Sequence, residues 1–285
     1  MSGAARGPDF LVIGAQRAGT TWLHRVLSEH PALWLTPVKE LHYFDKPHRT
    51  RTWLDPHERR RVQPRTYDLW HLRYLLGKRS DEWYAALFHK AQSQGYLAGE
   101  STPDYAVLND RGLQSIRRVN SRVKLIFVLR DPVDRAWSAV NNAYRKDRLN
   151  SLSIEEALAW AALRKVSSRS TYVDTIRRVE TIFSPDQLHC GFFDDLRDRP
   201  AAFVADVLAF LGIEPDRTWA PMMPRAVNTS GQGAPMPIEF ARSMAERYLP
   251  AVEELCQRFE GPPRKWRARY HALLEGASNE RAACL

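Results

Sequence analysis

The sequence predicts an α/β fold, three layers in which a central parallel β-sheet is flanked by helices. Short apolar runs of strand length alternate with stretches of helical periodicity, the mark of a parallel sheet covered on both faces. The first of these runs, Phe10 to Ile13, passes through a glycine-bounded loop from Gly14 to Gly19 straight into a helix-like stretch. With 285 residues, 44% of them hydrophobic, the chain has the material for one sizeable core.

Taken in order, the strands are read at Phe10 to Ile13, Tyr96 to Gly99, Lys124 to Leu129 and Leu188 to Phe192. Helices are read at Thr20 to Glu29, Asp81 to Ala91, Pro132 to Arg145 and Ile154 to Arg164, the last opened by a capping box from Ser153 to Glu156. Another helix follows Thr171, and Ala201 to Leu211 is apolar at helical spacing. Between residues 46 and 80 the pattern gives way to prolines, arginines and aromatics, an excursion of the kind that carries substrate contacts. Within it Tyr67, Trp70 and Tyr74 lie at helical spacing and read as a buried helix face rather than an acceptor-binding aromatic wall. A second irregular stretch, 221 to 237, holds Asn228 to Gly233 and reads as a mobile loop over a ligand.

Composition narrows the classes. Lys plus Arg number 42 against 33 Asp plus Glu, a net charge of +9 that suits a polyanionic ligand, an acidic acceptor or nucleic acid without choosing among them. The run Arg59, Arg60, Arg61 and Arg65 reads as a solvated surface. Cys190, Cys256 and Cys284 are odd in number and far apart, so neither a disulfide framework nor a zinc spacing is expected. There is no apolar signal core and no stretch long enough to span a bilayer, from which a cytoplasmic chain is expected.

Three constellations carry the chemistry. In the first, Gly14 and Gly19 have the spacing of a phosphate-binding loop and Thr21 supplies the following hydroxyl, but Thr20 stands where a triphosphatase needs lysine and the cation is Arg17. Such a strand-to-helix turn gathers backbone N–H groups at the positive end of a helix dipole and holds a phosphate-like anion. The plainer alternative is a turn with Thr20 as N-cap. In the second, the Lys124 to Leu129 strand delivers Arg130 to the carboxyl edge of the sheet, where ligands of open α/β sheets bind, and Asp131 caps the helix from Pro132. Ser138, two turns in, leans back toward Arg130, so a guanidinium fork and a hydroxyl can share one phosphate. The alternative pairs Arg130 with Asp134 and leaves Ser138 as packing; Arg135 reads as structural. In the third, Lys39 to Asp45, an extended chain would set Glu40 and His42 on one side, a proton acceptor beside an imidazole.

With these three in order, the chain resembles the sulfotransferases that use 3′-phosphoadenosine 5′-phosphosulfate, nearest the heparan-sulfate glucosaminyl branch and its bacterial relatives. The matching pieces are Gln16 to Thr21, Glu40 to Asp45, and Arg130 to Pro132 with Arg135 and Ser138. The segment Gly99 to Tyr105 is similar to a family Gly-Glu/Lys-x-x-Pro-x-Tyr segment, and Arg169 to Tyr172 to its Arg-Gly-x-Tyr with Ser170 for glycine. The resemblance implies a P-loop-like fold and a single sulfotransferase domain over 9–285, with 1–8 a flexible N-terminus. It implies donor contacts from Gln16, Arg17, Ala18, Gly19, Thr20, Thr21 and Trp22, a 3′-phosphate site at Arg130 and Ser138, and further donor contacts from Tyr172, Ser230 and Gly231. Glu40 corresponds to the general base, with His42 as a possible alternative base and Asp45 beside it. Acceptor contacts are implied at Asp45, Pro103, Asp104 and Tyr105.

Arg17 keeps the charge of the family lysine but cannot readily give up a proton, so its expected role is electrostatic stabilisation of the leaving group. The implied reaction is in-line transfer of a sulfuryl group to an acceptor hydroxyl or amine, leaving adenosine 3′,5′-bisphosphate, with no metal. The expected partner is a carbohydrate or small-molecule acceptor, not nucleic acid. Two other readings are kept: a kinase-like phosphotransferase, which needs magnesium and a triphosphate, and a non-catalytic polyanion-binding module, which predicts steeply salt-dependent binding.

Overall fold

The computed structural model describes residues 6–46, 68–147, 153–214 and 235–283. Five strands, β1 (Phe10–Gly14), β2 (Leu33–Leu35), β3 (Leu97–Ser101), β4 (Lys124–Leu129) and β5 (Leu188–Phe192), form one sheet in the order β2-β3-β1-β4-β5. Every pairing is parallel. β1 lies at the centre and all five of its residues are buried, because helices cover both faces and a strand in that position must be apolar throughout. Gly99 in β3 faces Phe10, whose ring would come within 2.4 Å of a Cβ there, so glycine permits this contact.

Before β3 the helices are α1 (Thr20–Ser28), α2 (Leu69–Leu76) and α3 (Asp81–Ser93). After it come a short 3₁₀ turn at Pro103–Val107, α4 (Asp110–Val119), α5 (Pro132–Asp147), α6 (Ile154–Ala162), α7 (Arg164–Ser167) and α8 (Tyr172–Glu180). Following β5 are α9 (Phe193–Asp198), α10 (Pro200–Leu211), α11 (Ile238–Arg258) and α12 (Pro262–Ala283). The capping box opening α6 is formed, with both reciprocal bonds between Ser153 and Glu156 present. Asp131 caps α5 through the Val133 N–H at 2.9 Å, and α12 reinforces it by placing Arg269 and Tyr270 on the same carboxylate at 2.9 and 2.7 Å. Trp70 and Tyr74 stack on α2, and Tyr74 is fully buried, in agreement with the helix-face reading; Tyr67 lies outside the described residues.

Two departures from expectation bear on function. β2 was not anticipated, since three residues between a helix end and a proline carry no periodicity of their own. β3 runs to Ser101 rather than stopping at Gly99, which places Glu100 inside the sheet with 0% exposure.

The topology fixes where a ligand sits. From β1 the chain turns toward β2 on one side, and from β4 toward β5 on the other, so the connections diverge and leave a crevice at the carboxyl ends of β1 and β4. The first loop and the start of α5 flank that crevice.

Candidate active site

The loop after β1 is built by a short turn and a left-handed glycine. The Ala15 N–H reaches across to the Val128 carbonyl at 2.8 Å, and the Ala18 N–H closes the turn on the Ala15 carbonyl at 3.1 Å. Gly19 sits at φ 84°, a conformation that costs glycine nothing, and α1 starts at the next residue. Gly19, not Thr20, is thus the N-cap, and no side chain caps the helix. Thr20 is buried and Thr21 half-buried at the first turn, where helix N–H groups lack partners within the helix. The Ala18 N–H is bonded within the loop and its methyl is in the core, and Trp22 is 3% exposed within the hydrophobic core.

Arg17 occupies left-handed backbone at φ 73°, and its side chain lies along α5. Its Nε donates to Ser138 Oγ at 3.0 Å and its Nη1 to Asn142 Oδ1 at 3.4 Å, one helical turn apart. Its carbonyl accepts from Arg130 Nη1 at 2.8 Å. The structure therefore brings Arg17, Arg130 and Ser138 together across the crevice, joined through 113 and 121 residues of sequence. Arg130 makes no ion pair with Asp134, whose carboxylate instead meets Arg269 at 2.9 Å. The Arg130 guanidinium lies 4.6 Å over the Phe193 ring, and its Nε is buried with no hydrogen-bond partner among the described residues. A buried guanidinium N–H held in that state fits a site made for an anion's oxygen. Burial lowers the Arg130 pKa from its ordinary value, yet a guanidinium stays charged.

Tyr172 supports Arg130 from behind. It is 1% exposed, and its hydroxyl donates to the Arg130 carbonyl at 2.7 Å. Arg135 is fully buried, as expected for a structural residue, and it ties α5 to Ser170 Oγ at 2.5 Å and the Val166 carbonyl at 2.9 Å. Beside the loop a cavity of about 300 Å³ is lined by Gln16, Arg17, Asn142, Trp160 and Lys165, among others. Trp160 and Lys165 carried no motif signal in the sequence. Ser230 and Gly231 lie outside the described residues, as do most of 46–80 and nearly all of 221–237.

The segment after β2 is not extended. Glu40 and His42 both adopt left-handed backbone, at φ 64° and 51°, a conformation uncommon for either residue. Because every second residue reverses, the chain coils and still sets the two side chains on one side: His42 Nε2 lies 3.7 Å from Glu40 Oε2. Each such φ costs on the order of 1–3 kcal/mol and persists only where its surroundings over-determine it. Those surroundings are specific. The Glu40 N–H donates to the Ser101 carbonyl at 2.9 Å, and Arg79 Nη2 donates to the carbonyls of Leu41 and His42 at 3.3 and 2.6 Å. Arg79 also lies 5.5 Å over the rings of Tyr43 and Trp83.

His42 is buried, with Nδ1 2.7 Å from Asp45 Oδ2. A carboxylate only accepts, so the pairing places a ring proton on Nδ1, with Nε2 on the Glu40 side. Glu40 is partly exposed, and its Oε1 accepts from Lys39 Nζ at 2.7 Å. His42, Asp45 and Asp104 offer one nitrogen and two carboxylate oxygens within 4.8 Å of one another. Arg169 neutralises Asp104 at 2.8 Å and His42 holds Asp45, so the cluster's charges are met by protein groups.

Beneath this segment is a network that the sequence did not reveal. Glu100 accepts from Tyr84 Oη at 2.5 Å, Tyr105 Oη at 2.9 Å, Thr102 Oγ1 at 2.7 Å and the Leu41 N–H at 3.2 Å. Burial pushes its pKa up against these four donors. Tyr105, in turn, accepts from the Tyr43 N–H at 2.9 Å, so one buried carboxyl fastens two points of the Glu40 segment. Pro103 and Tyr105, expected as acceptor contacts, are both buried, Tyr105 at 0% exposure. Asp104 is the accessible member of that segment.

A sequence profile described as "Sulfotransferase family" matches residues 8–217. The chain is 28% identical over 232 residues to the human bifunctional heparan sulfate N-deacetylase/N-sulfotransferase 2, covering 74% of this chain and 22% of that protein. It is 32% identical over 133 residues to the membrane-associated sulfotransferase kil1 of Dictyostelium discoideum, covering 46% of this chain and 22% of that protein. The chain thus spans about a fifth of the length of these curated relatives. Among solved structures, a sulfotransferase from Alicyclobacillus acidocaldarius superposes with a TM-score of 0.67 at 24% identity, over 91% of this chain and 98% of that one. The sulfotransferase domain of the Synechococcus PCC 7002 olefin synthase gives 0.51 at 14% identity, over 86% and 98%. At these identities the structural matches show the fold.

Proposed function

The chain belongs to the sulfotransferase family, and on that footing we propose that it moves a sulfuryl group from 3′-phosphoadenosine 5′-phosphosulfate to a hydroxyl or amine of a carbohydrate or small-molecule acceptor. The observation that carries the reading is the convergence on one crevice of Arg17, Arg130 and Ser138, with Glu40 and His42 held in left-handed backbone on the segment after β2. The residues fit the donor: a buried Arg130 Nε without a partner, the Ser138 hydroxyl and the helix start at Gly19 to Thr21 suit a nucleotide with two separated phosphates. When bound, the donor supplies an activated sulfuryl group.

Everything else falls to this chain. Glu40 is the general base that takes the acceptor's proton, a contribution of about two to four powers of ten in rate. Asp45 fixes the tautomer of His42, whose Nε2 then faces the same reacting centre. Arg17 stabilises charge at the phosphosulfate end, and as an arginine it acts by its fixed fork and charge, not by giving up a proton. The cavity lined by Gln16, Asn142, Trp160 and Lys165 offers amides, an aromatic face and a cation, which suits a ring-bearing polar acceptor.

The test is transfer of label from sulfur-labelled donor to a panel of sugars and phenols in excess chelator. Transfer is expected to persist with the metal removed, and ATP is expected to give none. Activity confined to magnesium and ATP would favour the phosphotransferase reading.

A further inference from the structure

Lys39 is part of the Glu40 motif, yet no role described so far needs it. Successive residues of an extended chain point to opposite sides, so neighbouring side chains rarely meet. Here the left-handed turn at Glu40 folds them together: Lys39 Nζ lies 2.7 Å from Glu40 Oε1, and the lysine side chain is only 19% exposed. A lysine that had simply fallen on the surface would keep its ammonium in water. The two other cations nearest in role are engaged elsewhere, with Arg17 bonded to Ser138 and Asn142 along α5 and Arg79 to the carbonyls of Leu41 and His42.

The need for such a cation follows from the chemistry. A donor with two phosphate groups and a sulfuryl group brings several negative charges to the crevice. A carboxylate facing them would be driven to hold its proton, and a protonated carboxyl cannot serve as a base. On the basis of the reading of Glu40 as base, we infer that Lys39 is a positioning residue for it, an ammonium that aims the carboxylate and keeps it ionised when the donor is bound.

Among the described residues, the other groups near Glu40 are engaged as follows. His42 stands 3.7 Å away, and its Nδ1 is engaged by a second carboxylate, Asp45, at 2.7 Å. From α1, His24 is held at Ser101 Oγ at 3.1 Å, and burial, with Lys39 next in weight, pulls its pKa down to about 4. It is therefore neutral at physiological pH and adds no positive charge. Asp45 and Asp104 add negative charge nearby, the latter paired with Arg169. Lys39 is the cation in direct contact.

The experiment is the pH dependence of kcat at saturating labelled donor for the full chain, for Lys39→Gln, Lys39→Met and Lys39→Arg, with adenosine 3′,5′-bisphosphate affinity measured for each. Removing the charge is expected to move the acid limb up by about one pH unit and so to lower kcat on that limb by up to tenfold, with activity returning in alkali. Lys39→Arg keeps the limb at the wild-type pH, and nucleotide affinity changes less than threefold in all three. An unmoved acid limb in both neutral variants, or a loss confined to nucleotide affinity, would overturn the role given to Lys39. Glu40→Gln separates the two levels: an active Glu40→Gln enzyme removes the base assignment itself, whereas an inactive one with an unmoved Lys39→Gln limb removes only this inference.

Discussion

Glu40→Gln is expected to cut turnover by about 10²- to 10⁴-fold while adenosine 3′,5′-bisphosphate binds with nearly unchanged affinity. The amide keeps the shape of the carboxylate and an oxygen for Lys39 Nζ, so the local packing survives. What it lacks is a lone pair basic enough to accept the acceptor's proton. Glu40 is also partly exposed and stands on the segment after β2, whereas the phosphate contacts are assigned to Arg130, Ser138 and the first loop. Stopped single-turnover transfer of labelled sulfate, read beside a binding titration, checks both halves. If Glu40→Gln lost only a few-fold in rate while His42→Asn lost orders of magnitude, His42 Nε2 would be the base, a position its pairing with Asp45 equips it to take.

The second large effect is expected at Glu100, which touches no ligand in this account. Glu100→Gln replaces one of two accepting oxygens with a donor, in a pocket where four donors already point inward. Hydroxyls of Tyr84, Tyr105 and Thr102 can rotate away, but the Leu41 N–H cannot. Leaving buried donors unpaired costs about 1–3 kcal/mol each, so the variant should lose about 2–4 kcal/mol, or about 3–7 °C in melting temperature. Turnover should fall with it, because Leu41 and, through Tyr105, Tyr43 lose the anchors that hold Glu40 and His42 in left-handed backbone. The pH sign is also fixed. Burial raises the folded-state pKa of Glu100 above its unfolded value, so its stabilising contribution is fully present below the ordinary carboxylate range. That contribution is lost as pH rises through the raised value. Thermal melts across pH should show this decline in the parent chain and a flatter profile in Glu100→Gln.

Why some of this was legible in the sequence and some was not follows from range. β1 is buried throughout and β4 at every residue after Lys124, while β5 is buried at its carboxyl end, so local pattern and tertiary setting agree. The loop from Gly14 to Gly19 announces itself because its function needs glycine at one fixed place, the left-handed N-cap at Gly19. The Glu40 segment was recognisable by its residue types, but its coil was not. A left-handed Glu and His are held by Arg79 and Glu100, 37 and 59 residues further along, and nothing local signals such support. Arg79 in turn fell at the end of a stretch that reads as an irregular excursion. At Trp22, motif spacing carries no information on which helix face turns toward the sheet, and the ring lies in the core at 3% exposure.

Arg130 and its neighbours hold the claim on which the rest depends, that the crevice between β1 and β4 receives a nucleoside with a phosphate at the 3′ position. Calorimetric titration of the full chain with adenosine 3′,5′-bisphosphate, repeated on Arg130→Ala, tests it most directly. The account predicts one site per chain in the parent and at least a hundredfold weaker binding in Arg130→Ala, from the loss of a charge-assisted phosphate contact in a buried setting. Absence of binding to the parent chain, or equal affinity in the two proteins, would contradict it.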